Sequence, residues 1–170
     1  MENHVVHGHL IHLLKKRKTM ENTKVKAEVL NDLIEINNDR IAGYERAIEE
    51  LDDANTDLVA LFRDMIQESR NYNMELISEV QKTGAEIEEG TTASGKIYRA
   101  WMDVKAMFTG SDRKAVLASC EGGEDAAQKA YKMAIEENEL APDTLALIQK
   151  QKASLKLSHD KIKALRDSEV

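Results

Sequence analysis

Aromatic residues make up only 4% of this 170-residue chain, proline occurs once and glycine eight times. That scarcity disfavours β-sheet, which draws on aromatic and β-branched side chains, and leaves few residues able to interrupt a helix. Cysteine is represented by Cys120 alone, so no internal disulfide can form and a reducing, cytoplasmic setting is the simplest expectation. No apolar run approaches the roughly 20 residues that a bilayer-spanning helix needs. Basic residues are outnumbered, 24 to 31, for a formal net charge of −7. That balance argues against nucleic acid or an anionic membrane as the main partner. No phosphate-cradling glycine loop and no zinc-finger spacing occurs. What is present, 42% hydrophobic and 32% charged residues, suits one folded domain with a real core.

The first 19 residues differ from the rest. They hold His4, His7, His9 and His12, four of the five histidines, followed by the basic run Lys15-Lys16-Arg17-Lys18. A secretory signal carries its positive charge before the apolar stretch, and here the order is reversed. Without this segment the chain has 20 basic and 30 acidic residues. Residues 1–19 are therefore expected to be a disordered or non-native leader, with Met20 opening the domain 20–170. The alternative is a histidine-rich metal-binding tail.

From Val25 to Leu51 the inward positions read Leu30, Ile34, Asn37, Ile41, Tyr44, Ile48 and Leu51, stepping by fours and threes as a packed helix does. Asp52 to Thr56 interrupts the pattern, with Asn55 or Thr56 able to cap the second helix. That helix places Leu58, Phe62, Met65, Ser69, Tyr72, Leu76 and Val80 inward and fades near Gly84. After the loop-like Gly90–Gly95, a short helix over Lys96–Phe108 carries Ile97, Trp101, Val104 and Phe108. Ser111 is the expected N-cap of the third long helix, which has Val116, Cys120, Glu124, Ala127, Tyr131 and Ala134 inward. Pro142 stands where the last helix begins. That helix shows Leu145, Ile148, Lys152, Leu155, His159, Ile162 and Leu165.

Loop lengths set the expected topology. Helices one and two are joined tightly, as are three and four, through Asn138–Ala141. Between two and three lie about 25 residues, enough to run back along a bundle. The expectation is all-α: a ferritin-like four-helix bundle with one long crossover containing an additional short helix.

The strings LNDLIEINNDRIAGYERA (Leu30–Ala47), TTASGKIYRAWMDVKAMFTGSDRKAVLASCEGGEDAAQKAY (Thr91–Tyr131) and SHDKIKALRD (Ser158–Asp167) resemble a bacterial family of ferritin-like four-helix-bundle proteins, catalogued mainly as a domain of unknown function. Cys120-Glu121-Gly122-Gly123-Glu124-Asp125 and His159-Asp160 are the most distinctive parts of the likeness. The resemblance supports the fold and implies no established activity.

Di-iron bundles take a Glu from each of two helices and a Glu-x-x-His pair from each of the other two. Here His159 is preceded at that spacing by Lys156, Glu68 is followed by Asn71, and Glu75 by Ser78, so the motifs are broken. A reduced metal set of Glu75, Glu124 and His159, with Glu45 as a fourth, remains and would match Fe, Mn or Zn in ligand type. Each of these has a plainer reading. His159 between Leu155 and Ile162 reads as a core-edge histidine bonded to a carboxylate or tyrosine. Glu124 can pair with Lys or Arg, or accept from Tyr44 or Tyr72. Glu75 can be flank surface. Cys120 reads as a small buried hydrophobe.

The function expected is that of a non-catalytic, self-associating bundle with a structural, binding or stress-associated role, without catalytic residues or a resident cofactor. The alternatives are a metal-binding ferritin-like protein with a degenerate site, for iron storage, scavenging or peroxide handling, and an interaction module presenting an acidic face.

Overall fold

The computed structural model describes residues 3–86, 95–98, 110–137 and 140–169, with side chains from residue 8 onward. Four long helices account for most of them: α1 (Asn3–Glu50), α2 (Thr56–Thr83), α3 (Arg113–Ile135) and α4 (Pro142–Ser168). No strand occurs among the described residues. None of the described helices is long and apolar enough to cross a membrane. Trp101, Val104, Phe108 and most of the expected crossover helix lie outside the described residues.

The helix ends reflect local chemistry. The backbone turns left-handed at Gly84 (φ 73°), a conformation open to a residue without Cβ, and its N–H donates to the Gln81 carbonyl. Asn55 occupies the N-cap of α2, but its side chain makes no capping bond. Its amide donates to Asp52 and its oxygen accepts from Arg113 instead. The cap of α3 is Asp112, one residue beyond the expected Ser111, and its carboxylate accepts from the Ala115 N–H at 3.0 Å. Pro142 is the first residue of α4, where its missing N–H is harmless.

α1 begins far N-terminal to Val25. At about 1.5 Å per residue its 48 residues extend about 72 Å, against about 42 Å for the 28 of α2. Residues 8–20 are accordingly exposed, Leu10, Ile11, Leu13, Leu14 and Met20 among them.

Side-chain pairs give the helix directions. Lys26 reaches Glu79 while Arg40 reaches Ser69, so α1 and α2 are antiparallel. Gln128 meets Lys152 and Asp125 meets His159, so α3 and α4 are antiparallel. Asn37 meets Tyr131 and Tyr44 meets Glu124, which sets α1 against α3 in opposite directions. Glu75 meets Gln151 and Glu68 meets Ser158, which does the same for α2 and α4. Hence α2 and α3 run parallel, and the chain between them must return along the length of the helices. Arg113, at the start of α3, binds Asp57, at the start of α2, and so places both N-termini at one end. Arg113 also holds Glu169 beyond α4, so one guanidinium fastens three elements.

Part of the returning segment is seen docking. The backbone N–H groups of Ile97 and Tyr98 donate to one oxygen of Asp32 at 3.0 and 3.2 Å. Asp32 is buried on α1, and Ile97 is fully buried beside it. Tyr98 donates to Asp39 at 3.1 Å; burial first, then the Asp39 charge, pushes its hydroxyl up to about 12.

The apolar interior falls into two clusters. One gathers Leu30, Leu33, Leu76, Val80, Ile97, Tyr131, Ile148 and Leu155. The other gathers Tyr44, Leu58, Phe62, Met65, Val116, Leu117, Cys120 and Ile162. All the residues expected inward on α2 and α3 are buried. On α4 the buried line is Thr144, Ile148, Gln151, Leu155, Ser158 and Ile162. This line lies one residue N-terminal to the expected Lys152 and His159 positions, and leaves those two on the flank.

A Cβ built on Gly95 would overlap the Asp32 carboxylate. Gly95→Ala must therefore displace Asp32 and weaken its two backbone bonds. The expected cost is about 1.5–3 kcal/mol in urea titration, the range for bonds to a charged group. An unchanged midpoint would show that these bonds do not hold the segment.

The Arg113 hydrogen bond holds the Asp57 carboxyl down at about 2, below its ordinary 3.8. A depressed carboxylate contributes stability above its unfolded pKa, and that contribution is lost as pH falls through the folded value. The stability gap between wild type and Arg113→Met should therefore narrow between about pH 4 and about pH 2. A gap independent of pH would assign Arg113 a packing role only.

Candidate functional site

Between the two apolar clusters lies a layer of charge. Arg40 projects from α1 and Glu124 from α3, with 4% and 1% of their side chains exposed. The Arg40 Nε and Nη2 approach one oxygen of Glu124 at 2.8 and 2.7 Å, and the Tyr44 hydroxyl donates to the same oxygen. Nη1 of Arg40 donates to Ser69 at 2.7 Å and to the Met65 carbonyl at 3.1 Å, both on α2. The guanidinium also lies 5.2 Å from the centre of the Tyr44 ring. Burial works against the Arg40 charge, but Glu124, Tyr44 and Glu68 outweigh it and raise the pKa above its ordinary value. Burial and the neighbouring Glu124 push the Tyr44 hydroxyl and the Cys120 thiol upward. Both stay neutral, so Cys120 has no nucleophilic thiolate to offer.

From this layer polar contacts extend to α4. Glu68, 3.9 Å from Arg40, accepts from Tyr72 at 2.7 Å and from Ser158 at 2.8 Å. A second chain crosses the bundle one turn away. Asn37 donates to the Tyr131 hydroxyl at 2.8 Å, Tyr131 donates to Gln151 at 2.9 Å, and the Gln151 amide donates to Glu75 at 2.8 Å. Every helix thus contributes polar groups to the interior, and most of their atoms partner one another, while the buried Glu124 Oε2 and Asn37 Oδ1 have no hydrogen-bond partner among the described residues.

The residues expected to form a reduced metal set therefore have separate partners. Glu124 is in the central layer with Arg40 and Tyr44. Glu75 is bound by Gln151. Glu45 is exposed on α1 and pairs with Arg70 at 3.6 Å. His159 sits partly buried on the α3-facing flank of α4, with Nε2 2.7 Å from Asp125 and Nδ1 2.9 Å from Asp160. Burial opposes the charge of its imidazole, but bonds to Asp160 and Asp125 raise its pKa. The pairings of Glu124 with an arginine and with Tyr44 were among the readings open from sequence. Arg40 and Gln151 were not singled out, Glu68 was weighed only as half of a broken Glu-x-x-His motif, and Asp125 entered only through the family likeness. Arg40 had a signal: it lies seven residues from both Leu33 and Ala47, on one helical line with them, and all three are buried.

Breaking a buried ion pair from one side leaves a dry, unpaired charge. Arg40→Met should destabilise by about 3–5 kcal/mol in urea titration, and Glu124→Leu by a similar amount. The double variant should recover most of the loss, because well-packed apolar groups can replace such a pair. Additive losses would show that the two residues act independently.

No curated protein matches the chain. Residues 26–137, from the middle of α1 to just past the end of α3, match the model of a family described as "Domain of unknown function (DUF2383)". Arg40, Tyr44, Glu68 and Glu124 lie inside that span, and Gln151 and His159 lie outside it. The match covers well over half of the chain, which therefore belongs to that family.

Proposed function

We propose that this chain is a ferritin-like four-helix bundle whose centre is closed by an ion pair, and that it serves as a non-catalytic structural or binding protein. The observation that supports this is the position of Arg40. A ferritin-like fold implies a pair of iron ions held by inward carboxylates and histidines. The donor set around Glu124 does not suit such a pair. The guanidinium already supplies the positive charge at the carboxylate, and Tyr44 loads the same oxygen. The second polar chain, Asn37, Tyr131 and Gln151, ends on one carboxylate, Glu75, and contains no imidazole, so it lacks the carboxylate–histidine set that a pair of iron ions takes. The helix directions, with α2 and α3 parallel, support the ferritin-like topology. Self-association and a cytoplasmic setting belong to the same reading, the latter because Cys120 is free and buried.

The test is iron chemistry on the full chain. Ferrous iron should be oxidised by air no faster with the protein than with buffer, and Glu124→Gln should change nothing. Protein-dependent oxidation lost in Glu124→Gln would place a working metal centre in the bundle and overturn the proposal.

A further inference from the structure

We propose that Glu121, Asp125 and His159 form a divalent-cation site, suited to zinc, that clamps α3 to α4 at the flank of the bundle. The site is separate from the Arg40–Glu124 layer, and neither proposal depends on the other.

The three side chains offer ligand atoms that all lie within 4.8 Å of one another. Glu121 and Asp125 are one turn apart on α3 and so share a face. His159 comes to them from α4. Its ring is gripped from both sides, Nδ1 by Asp160 and Nε2 by Asp125. A carboxylate only accepts, so each ring nitrogen must present either a hydrogen or a bound cation to its neighbour. Donation from Nδ1 to Asp160 fixes the ring and leaves Nε2 aimed at Asp125. This is how a second carboxylate orients a metal-binding imidazole. An ion there would take one imidazole nitrogen and two carboxylate oxygens, with room for water as a fourth ligand, a set that suits zinc.

Depth suits the role. The His159 side chain is 14% exposed and that of Asp125 66%, so an ion can enter without opening the core. Glu121, at 9%, anchors the inner side. The surrounding charges are Lys156 on Asp160, with Lys163 and Arg166 on Glu121. Arg166 is the direct competitor. It must release Glu121, and it keeps Asp167 as a partner when it does. Removing Arg166 should therefore strengthen the site rather than weaken it.

The experiment uses the full chain with His4, His7, His9 and His12 changed to Asn, leaving His159 as the remaining imidazole. Zinc is titrated calorimetrically, and cobalt(II) is followed by its visible bands. One equivalent should bind, with intense tetrahedral-type cobalt absorption. His159→Asn should weaken binding at least about tenfold, and Asp125→Asn should weaken it too. Arg166→Met should bind more tightly, a gain that damage to the fold cannot produce. The proposal is overturned if no saturable binding occurs, if His159→Asn binds zinc as well as its parent, or if Arg166→Met fails to tighten it. The last outcomes would identify the cluster as an ordinary ion-pair network.

Discussion

The interaction on which the rest of this structure depends is the buried pair of Arg40 and Glu124. A guanidinium with 4% of its side chain exposed is tolerable only if nearly all its donors are answered. The groups that accept from it are Met65 and Ser69 on α2 and Glu124 on α3, and Tyr44 on α1 donates to the same Glu124 oxygen, so three helices meet at this point. Sliding any one helix by a turn would separate a charge from its partner in a dry interior. Apolar side chains alone impose a weaker constraint, since Leu and Ile stripes repeat and can re-engage one turn away. Such a pair adds little net stability over an apolar replacement, but it penalises the wrong alignment heavily.

The chain Asn37–Tyr131–Gln151–Glu75 extends the same logic to α4, which the ion pair does not touch. Its links join α1 to α3, α3 to α4 and α4 to α2. Ser158 on Glu68 adds a further α4 link beside the charged layer. The polar positions thus sit between the two apolar clusters like a ruled line, and each helix is registered against it. The crossover depends on a parallel device outside the line: Asp32 spends its buried carboxylate on two backbone N–H groups, so the segment at Ile97 packs against α1 in one position.

Most of the architecture was legible because the apolar repeats of α2 and α3 are nearly uninterrupted, and the one proline and the Gly84 stop are unambiguous. α4 was harder for a physical reason. Its buried line alternates Ile148, Leu155 and Ile162 with Thr144, Gln151 and Ser158. A hydrophobic pattern gives half of those positions no weight, so Leu145 and Leu165 pulled the apparent stripe toward Lys152 and His159. Arg40 was concealed in the same way. In Asn37-Asn38-Asp39-Arg40 it looks like surface charge, and only the seven-residue step to Leu33 and Ala47 reveals its direction. Composition disguises a polar core, because it assigns to solvent the groups that specify the interior.

Depth decides what similar chemistry can do in the two places where it occurs. Glu124 and Glu121 lie three residues apart on α3, and each meets an arginine. Around Glu124 the arginine is enclosed, bonded to α2 as well, and its removal would strand the carboxylate in a dry layer. Around Glu121 the arginine is 28% exposed, shares Asp167, and stands beside an imidazole and the solvent-facing Asp125. Water there can solvate whichever charge is released, so exchanging partners costs far less than it does in the core. The central pair therefore acts as a fixed joint, while the flank retains the freedom that binding a small cation requires.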